Sequence, residues 1–388
     1  MTMTPTSPAC ASTHRSAPAQ TTPARPPQPT AGLLRGLRGL VSTPVNALLT
    51  VLALAIAWFL LRPAIEFLFI NAVWSGHDRA ACLAGEASGE TGACWPFITR
   101  RIGYFVYGQY PEAQRWRPNL AMALCALNIA AALWPRAPYR GAALFAFVVP
   151  FPIISWILLY GPGFSGLVTV PTNLWGGVLV TLVISIVGIV ASLPLGVLLA
   201  LGRRSRMPFV RAASIVFIEV MRGVPLLAVL FMANRMLPLF LPPGVLPDPL
   251  VRVMVGVSLF AAAGMAEVIR GGLQALPKGQ YEAAAALGLG YWQMMFTVIL
   301  PQALTLVIPG IVNTFISLFK DTTLVTIVGI FDLLTTIDVS SRDPAWATPV
   351  TVSTGYAFAA MFYFICCYAM SRYSAAMERR LAAAGSRS

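Results

Sequence analysis

Long apolar runs separated by short polar stretches dominate this chain from residue 45 onward. The runs are 16 to 28 residues long, close to the roughly 17–25 residues that an α-helix needs to cross the hydrocarbon core of a bilayer. The pattern therefore predicts an all-α integral membrane protein with about eight transmembrane helices. The predicted spans are Val45–Leu61, Asn119–Trp134, Gly141–Tyr160, Leu174–Leu201, Phe209–Phe231, Leu250–Ile269, Phe296–Phe319 and Val350–Tyr373.

The polar stretches divide the chain into four regions. Residues 1–43 are rich in Pro, Thr and Ala and contain no acidic residue, which predicts a disordered basic tail. Residues 44–173 form a three-span module, whose one sizeable polar loop at residues 75–118 predicts a small folded cap or an interfacial hairpin. Residues 174–373 form a more regular module of five spans, and residues 374–388 are a second basic tail.

Composition supports a membrane protein and argues against a nucleic-acid partner. The 388-residue chain is 57% hydrophobic and 11% charged, with a mean hydropathy of +0.73, whereas soluble domains are about a quarter charged. The formal net charge is +13, but the arginines lie scattered at the ends of apolar runs and do not form one basic stripe. The positive-inside rule uses such residues to orient a membrane protein, and it places both termini in the cytoplasm.

Candidate catalytic and metal-binding residues are scarce. The two histidines, His14 and His77, lie in the tail and in the polar loop, so we predict no catalytic residue and no metal site. No GxxxxGK[ST] phosphate loop is present in the sequence. Cys82 and Cys94 lie in the polar loop and could form a disulfide if the loop is exported, or remain two free thiols.

Two acid–arginine pairs lie three residues apart within or beside apolar runs. Charged groups in hydrocarbon are costly, so they should face the helix bundle or one another. We interpret them as structural ion pairs, within one helix or between helices. The residues are Glu219, Arg222, Glu267 and Arg270.

A second polar cluster, Lys320, Asp321, Thr322 and Thr323, interrupts an apolar run with a cation, an anion and two hydroxyls. Together these groups could meet both the carboxylate and the ammonium of a zwitterion, which favours a place in the substrate path. The alternative is the end of a span at the membrane surface, where such a cluster costs little. The sequence leaves both open.

The segment Pro277–Pro301 is the least membrane-like part of the five-span module. A polar Pro-Lys-Gly-Gln break opens it, and an Ala-rich helix should follow, with Glu282 near the first turn, where the helix dipole favours a carboxylate. Gly288 should end that helix, because glycine takes the left-handed conformation without steric cost.

The spacing in this segment resembles the EAA loop of ABC importer permeases. That loop reads Glu-Ala-Ala, three residues, Gly, nine residues, Ile, any residue, Leu-Pro, and Val298 stands here for the isoleucine. The matching residues are Glu282, Ala283, Ala284, Gly288, Leu300 and Pro301.

The five-span module as a whole resembles the type I permease core of the polar-amino-acid branch of ABC importers. The N-terminal module, with its GACWP loop, is similar to that of the longer permease subunits of general L-amino-acid importers. Among the stretches that carry the first resemblance are FIEVMRGVPLL, AEVIRGGLQALPKGQYEAAAALG and ISLFKDTTLVTIVGIFDLL.

The resemblance implies a permease subunit in a bacterial inner membrane that binds no cofactor itself. It implies a second permease subunit, two ATPase subunits that carry ATP and Mg, and a periplasmic amino-acid-binding protein, all within membrane lipid. The Ala-rich helix would then be the coupling helix that docks an ATPase. An ion-coupled secondary transporter or channel is the main alternative, since it would share the composition but would not need this docking loop.

Overall fold

Helices make up the regular structure of the part of the chain that the structure describes. The computed structural model describes residues 43–87, 92–133, 140–242, 244 and 246–385. Isolated β-bridges are the only extended pairings within these ranges, which confirms the all-α class. The predicted tail at residues 1–43 lies outside the described residues except for Thr43, and so do residues 386–388 of the second tail.

The described α-helices are named α1 to α17 in chain order. They are α1 (Pro44–Ile65), α2 (Arg79–Ala87), α3 (Trp95–Tyr107), α4 (Trp116–Leu133), α5 (Arg140–Val148), α6 (Pro150–Tyr160), α7 (Gly177–Arg203), α8 (Pro208–Gly223), α9 (Leu226–Phe231), α10 (Leu237–Phe240), α11 (Pro249–Ala275), α12 (Lys278–Ala286), α13 (Tyr291–Met294), α14 (Leu300–Leu306), α15 (Ile308–Asp321), α16 (Leu333–Ser341) and α17 (Pro349–Gly385). Short π-helical segments lie at Glu66–Ile70, Met232–Met236 and Met295–Ile299, and 3-10 turns at Glu112–Gln114, Gly163–Ser165, Thr172–Leu174 and Thr322–Val328.

The chain divides into two units, residues 1–65 and residues 66–388. The described part of the first unit is essentially α1, which has apolar side chains on every face and no buried residue. A helix that is apolar all round suits either a protein core or a membrane. With none of its residues buried, α1 has the character of a lipid-exposed span.

Five helical segments among the described residues are long and apolar enough to cross a membrane, or seven if each bent pair is one span. The bent pairs are α5 with α6, at 41°, and α8 with the segment Leu226–Phe240, at 107°. The predicted count of about eight also includes Asn119–Trp134, of which Asn119 to Leu133 is helical as part of α4, but α4 does not reach that standard. The first turn of α4 holds an arginine and an asparagine, which lower its mean hydropathy.

Two of the predicted spans are interrupted in the structure. Phe209–Phe231 is broken at Val224, which is extended because proline at the next position disfavours the helical conformation. Phe296–Phe319 is interrupted at Val307, and the apolar segment of spanning length runs instead from Ile308 to Val328. The Lys320–Thr323 cluster lies within this segment, at the point where the α-helix ends at Asp321. Both interpretations of the cluster stay predictions.

The centre of the second unit is the helix pair α7 and α11, which pack together along their lengths. Gly196 of α7 lies against Met265 of α11, where a Cβ atom would come within 2.7 Å of the methionine side chain. Small residues permit this close approach of membrane helices. One apolar cluster surrounds the first half of α7, including Leu179, and a second surrounds its last turns, including Leu201.

The polar loop at residues 75–118 is largely helical in the structure. Cys82 in α2 and Cys94 before α3 form a disulfide, with their Cα atoms 5.5 Å apart, so the structure contains the first of the two alternatives left open by the sequence. The Cys94 N–H donates to Thr354 Oγ1 of α17 at 3.0 Å. Phe97 of α3 is fully buried and shares an apolar cluster with Ile337 of α16. The loop is thus a cap attached to the last two helices.

Candidate functional site

The candidate site is built around α12, the short helix that connects α11 to α13. Pro277 adopts φ −59° and ψ 140° at its N-terminus, where a proline is tolerated because its missing N–H would have no intrahelical acceptor. Lys278 and Gly279, predicted to belong to a break before the helix, form its first turn. Glu282 is therefore the first residue of the second turn, directly after the first turn, and the dipole acts less strongly on it than on a residue of the first turn.

The end of α12 depends on Gly288. This residue has φ +75°, in the left-handed region, and its N–H donates to the Ala285 carbonyl at 2.9 Å. A Cβ atom there would meet nothing within 4 Å. The glycine is therefore needed for its backbone conformation and not for space.

The Leu-Pro pair of the motif belongs to the next helix. Pro301 has no N–H to continue a helical ladder, and a π-helical turn at Met295–Ile299 precedes it, with the Leu300 N–H bonded five residues back to Met295. Leu300 is 6% exposed and packs in the apolar cluster at the end of α7, whereas Pro301 is exposed. The pair therefore anchors α14 to the core and presents little docking surface.

Most of α12 faces away from the rest of the protein. Among its alanines, Ala284 is 3% exposed, whereas Ala283 is exposed. Leu287, directly after the helix, is 79% exposed. Glu282 is also exposed, and among the described residues it makes no hydrogen bond or ion pair. The outer face of α12 thus carries small apolar side chains and one carboxylate, that of Glu282, with no hydrogen-bond or ion-pair partner among the described residues.

The inner side of α12 is attached to its neighbours by polar side chains. Tyr281 donates its hydroxyl to the Leu273 carbonyl of α11 at 3.0 Å and accepts from Arg204, directly after α7, at 3.1 Å. The same guanidinium lies 5.5 Å from the centre of the tyrosine ring. Gln302 of α14 donates to the Gln280 side chain at 3.2 Å. Hydrogen bonds therefore attach α12 to α11, to the residue after α7 and to α14.

Sequence reasoning missed these attachments. It treated Arg204 only as a positive charge that orients the chain, and it did not consider Tyr281. The available signal was the tyrosine itself, which is the one aromatic residue in a short helix of small and polar residues. An aromatic ring with a polar tip suits the border between a packed face and an exposed one.

Close packing joins the two longer helices that flank α12. Gly272, near the end of α11, lies so close to α14 that a Cβ atom there would be 2.6 Å from the Ala303 carbonyl oxygen. A Cβ atom on the neighbouring Gly271 would have no heavy atom within 4 Å. The two helices to which Tyr281 and Gln302 attach α12 therefore touch each other directly.

An ion-pair network lies one to three turns before the end of α11. Glu267 is at its centre, with a side chain 15% exposed. It accepts from Arg203 of α7 at 2.8 Å and from Arg270 of its own helix at 2.7 Å. Arg222 of α8 lies 3.8 Å away, and Arg203 also binds Glu219 of α8 at 3.0 Å. The network ties three helices together beside the attachment of α12.

All four residues interpreted as structural ion pairs form ion pairs in the structure, within one helix or between helices. Glu267 and Arg270 pair at the expected spacing of three residues. Glu219 and Arg222, which have the same spacing, each bind a partner on another helix. The reason is Arg203 at the end of α7, whose guanidinium lies between the two acidic residues and was not singled out in the sequence.

The cluster at residues 320–323 does not converge on one point. Lys320 is exposed and Asp321 is half-buried at the end of α15. Thr322 is fully buried, and its hydroxyl donates to the Phe319 carbonyl at 2.8 Å, while the Thr323 hydroxyl donates to the Lys320 carbonyl at 3.0 Å. Both hydroxyls are thus engaged by their own backbone. A role of the cluster in the substrate path stays a prediction.

Comparisons with known proteins agree with this architecture. Residues 192–383, which include α12 and the ion-pair network, match the family model described as binding-protein-dependent transport system inner membrane component. The chain is 52% identical over 343 residues to the inner membrane amino-acid ABC transporter permease protein YhdY of Escherichia coli strain K12, a match that covers 88% of this chain and 91% of that protein.

A second relative is the glutamate/glutamine/aspartate/asparagine transport system permease protein BztC of Rhodobacter capsulatus. It is 40% identical over 413 residues, covering 90% of this chain and 94% of that protein. A solved crystal structure of an amino acid ABC transporter with histidines matches 52% of this chain and 90% of its own, with 28% identity and a TM-score of 0.46.

The helical core is that of a multi-span membrane protein, and both relatives are permeases of transport systems, which makes this chain a transport subunit. The chain belongs to the amino-acid ABC transporter permeases, within the family of binding-protein-dependent transport system inner membrane components. This confirms the family predicted from the sequence motifs.

Proposed function

We propose that this chain is the permease subunit of an ATP-driven amino-acid importer and that it docks an ATPase subunit through α12. The proposal includes a second permease subunit, two ATPase subunits that hold ATP and Mg, and a periplasmic amino-acid-binding protein. It places both termini on the cytoplasmic side of a bacterial inner membrane. The chain itself would form half of the translocation path and hydrolyse no ATP.

The observation that carries the proposal is the two-sided character of α12. Its outer face offers alanines and the uncommitted Glu282 carboxylate, so another protein surface can approach closely and place a cation beside that carboxylate. Its inner side is held by Tyr281 and Gln280. A helix that is free on one side and attached on the other is suited to pass a displacement from a partner into the membrane helices.

The attachments define which helices would move. A push on α12 acts on α7 through Arg204, on α11 through Leu273 and on α14 through Gln302. Closure of two ATPases on ATP would bring two such helices together and rock the attached spans as rigid bodies, a common form of switching. The ion pairs of Glu267 would keep α7, α8 and α11 in one body during that motion.

The test is a charge reversal on the free face of α12. The variant Glu282→Lys and the wild type are purified with the products of the neighbouring transporter genes, and copurified ATPase, ATPase activity and amino-acid uptake are measured. Glu378→Lys is the matched control, because Glu378 is an exposed glutamate of α17 outside the docking segment. Reversing one partner of an interfacial charge pair should weaken ATPase binding at least about tenfold.

Loss of copurified ATPase, or ATP hydrolysis without uptake, in Glu282→Lys but not in Glu378→Lys would support the docking role. Equal ATPase binding and uptake in all three proteins would refute the role of Glu282. If no ATPase copurifies with the wild type and uptake instead follows an ion gradient, the protein is a secondary transporter.

A further inference from the structure

A polar cavity of about 610 Å³ lies at the end of α11 opposite to α12. Its walls come from the turn before α7, the π-helical segment Met232–Met236, the first turn of α11 and residues 328–331. Since α11 has 27 residues, the cavity is about 40 Å from the coupling helix along the helix axis. Its volume is in the range typical of small-molecule sites, about 300–1,000 Å³.

Two buried polar atoms in the cavity wall lack hydrogen-bond partners among the described residues. Asn234 is 7% exposed, and its Nδ2 donates to the Val328 carbonyl at 3.1 Å, but its Oδ1 has no donor. Arg252 donates Nη1 to the Asn234 carbonyl, but its buried Nε has no acceptor. Buried polar groups are almost always paired, so this acceptor and this donor leave hydrogen bonds at the same wall for a water molecule or a ligand to make.

The charges around the cavity favour an anion. Asp248 accepts from the Leu250 N–H at 2.8 Å and from the Thr172 hydroxyl, so both of its oxygens are engaged at the start of α11. Arg235 and Arg252 have no carboxylate partner among the described residues. A guanidinium binds a carboxylate through two parallel hydrogen bonds, and two guanidinium groups are available here.

The backbone beside the cavity is irregular, with a π-helical turn in a bent pair of helices. Asn234 and Arg235 lie in a π-helical turn, and such turns are frequent at functional sites. That turn belongs to the helix pair bent by 107°. Broken membrane helices line substrate sites in transporters, because their irregular backbone is tolerated only where it faces a cavity.

We propose that this cavity binds the zwitterionic head of an amino acid. Arg235 and Arg252 would receive the α-carboxylate, and Asn234 Oδ1 would accept a hydrogen bond from the ammonium group. The assignment of an amino acid, as opposed to another carboxylate, rests on the proposed function. Because the carboxylate and ammonium are common to all amino acids, the site recognises the class of substrate and not one side chain.

The experiment measures binding to the assembled transporter, purified in detergent without its binding protein and without ATP. The probe is radiolabelled L-glutamine, and the variants are Arg252→Gln and Arg235→Gln. Arg206→Gln is the matched control, since Arg206 is exposed and lies beyond the far end of α7. We expect both cavity variants to bind at least about tenfold more weakly than wild type and the control to bind like wild type.

Competition identifies the chemistry of the ligand. Unlabelled L-glutamine should displace the probe, whereas its α-amide and inorganic phosphate should not. Equal competition by phosphate would show a general anion site and overturn the assignment, as would wild-type affinity in both variants or no saturable binding by the wild type. Arg235 is exposed, so its replacement tests the proposal even if Arg252→Gln disturbs folding. Failure of the proposed function would appear separately, as wild-type uptake that does not require ATP.

Discussion

Replacing Glu267 with glutamine should loosen the contact between α7, α8 and α11 without changing the volume of the side chain. The carboxylate is shared by Arg203 at 2.8 Å, Arg270 at 2.7 Å and Arg222 at 3.8 Å. Glutamine keeps one carbonyl oxygen but removes the charge. The three arginines then lie near one another with Glu219 as the remaining acidic partner.

The expected loss of stability lies between two known limits. Removing one partner of a fully buried ion pair costs about 3–5 kcal/mol, whereas exposed pairs contribute about 0–1 kcal/mol. The Glu267 side chain is 15% exposed, and those of Arg203 and Arg270 are 24% and 32% exposed. Partial access of solvent to the guanidinium groups screens the pair, so we expect the free energy of unfolding to fall by about 2 kcal/mol.

The assay is equilibrium unfolding of the purified permease, with Asp338→Asn as the control. Asp338 pairs with Arg342 four residues along the chain, but the Arg342 side chain is 74% exposed. Asp338 also accepts from the Tyr356 hydroxyl at 3.2 Å, and an asparagine oxygen can still accept that bond, so we expect a loss of at most about 1 kcal/mol. The double variant Glu267→Gln/Arg270→Gln should lose less than the sum of its single variants, because the two residues share one interaction. Equal destabilisation by Glu267→Gln and Asp338→Asn would refute the reasoning.

Two further predictions concern packing and pH. Gly272→Val should lower the free energy of unfolding by about 1–3 kcal/mol, because its Cβ atom would lie 2.6 Å from a backbone oxygen of α14. Gly271→Val is the control for the same unfolding assay and should lower it less, because a Cβ atom at Gly271 would meet no heavy atom within 4 Å. Outside the spans, the N–H of Ala345 and the Arg101 guanidinium hold the pKa of Asp343 below its usual range. Because this pKa is lower in the folded protein than its value of about 3.9 in the unfolded chain, the ionised Asp343 stabilises the fold above that pH, and that stabilisation is lost as the pH falls through the folded-state pKa. The melting temperature of Asp343→Asn should therefore fall less on acidification than that of the wild type. An identical fall in both proteins would contradict this.

The sequence by itself determined the parts of this protein that depend on local physics. Runs of apolar residues long enough to cross a bilayer predicted an all-helical membrane protein, because backbone polar groups in lipid must be satisfied within the segment. The alanine run predicted the short connecting helix, and Gly288 predicted its end, because left-handed backbone conformation at a helix end is a property of one residue.

Only the tertiary structure decided which residues act together. The pairing of Glu219 with Arg203, 16 residues away in the sequence, overrides its local partner because α7 ends beside α8. Tyr281 holds α12 only because Leu273 and Arg204 reach it. The cavity at Asn234 likewise joins four separate stretches of chain. Such partners are set by the packing of distant helices, and no local pattern along the chain encodes them.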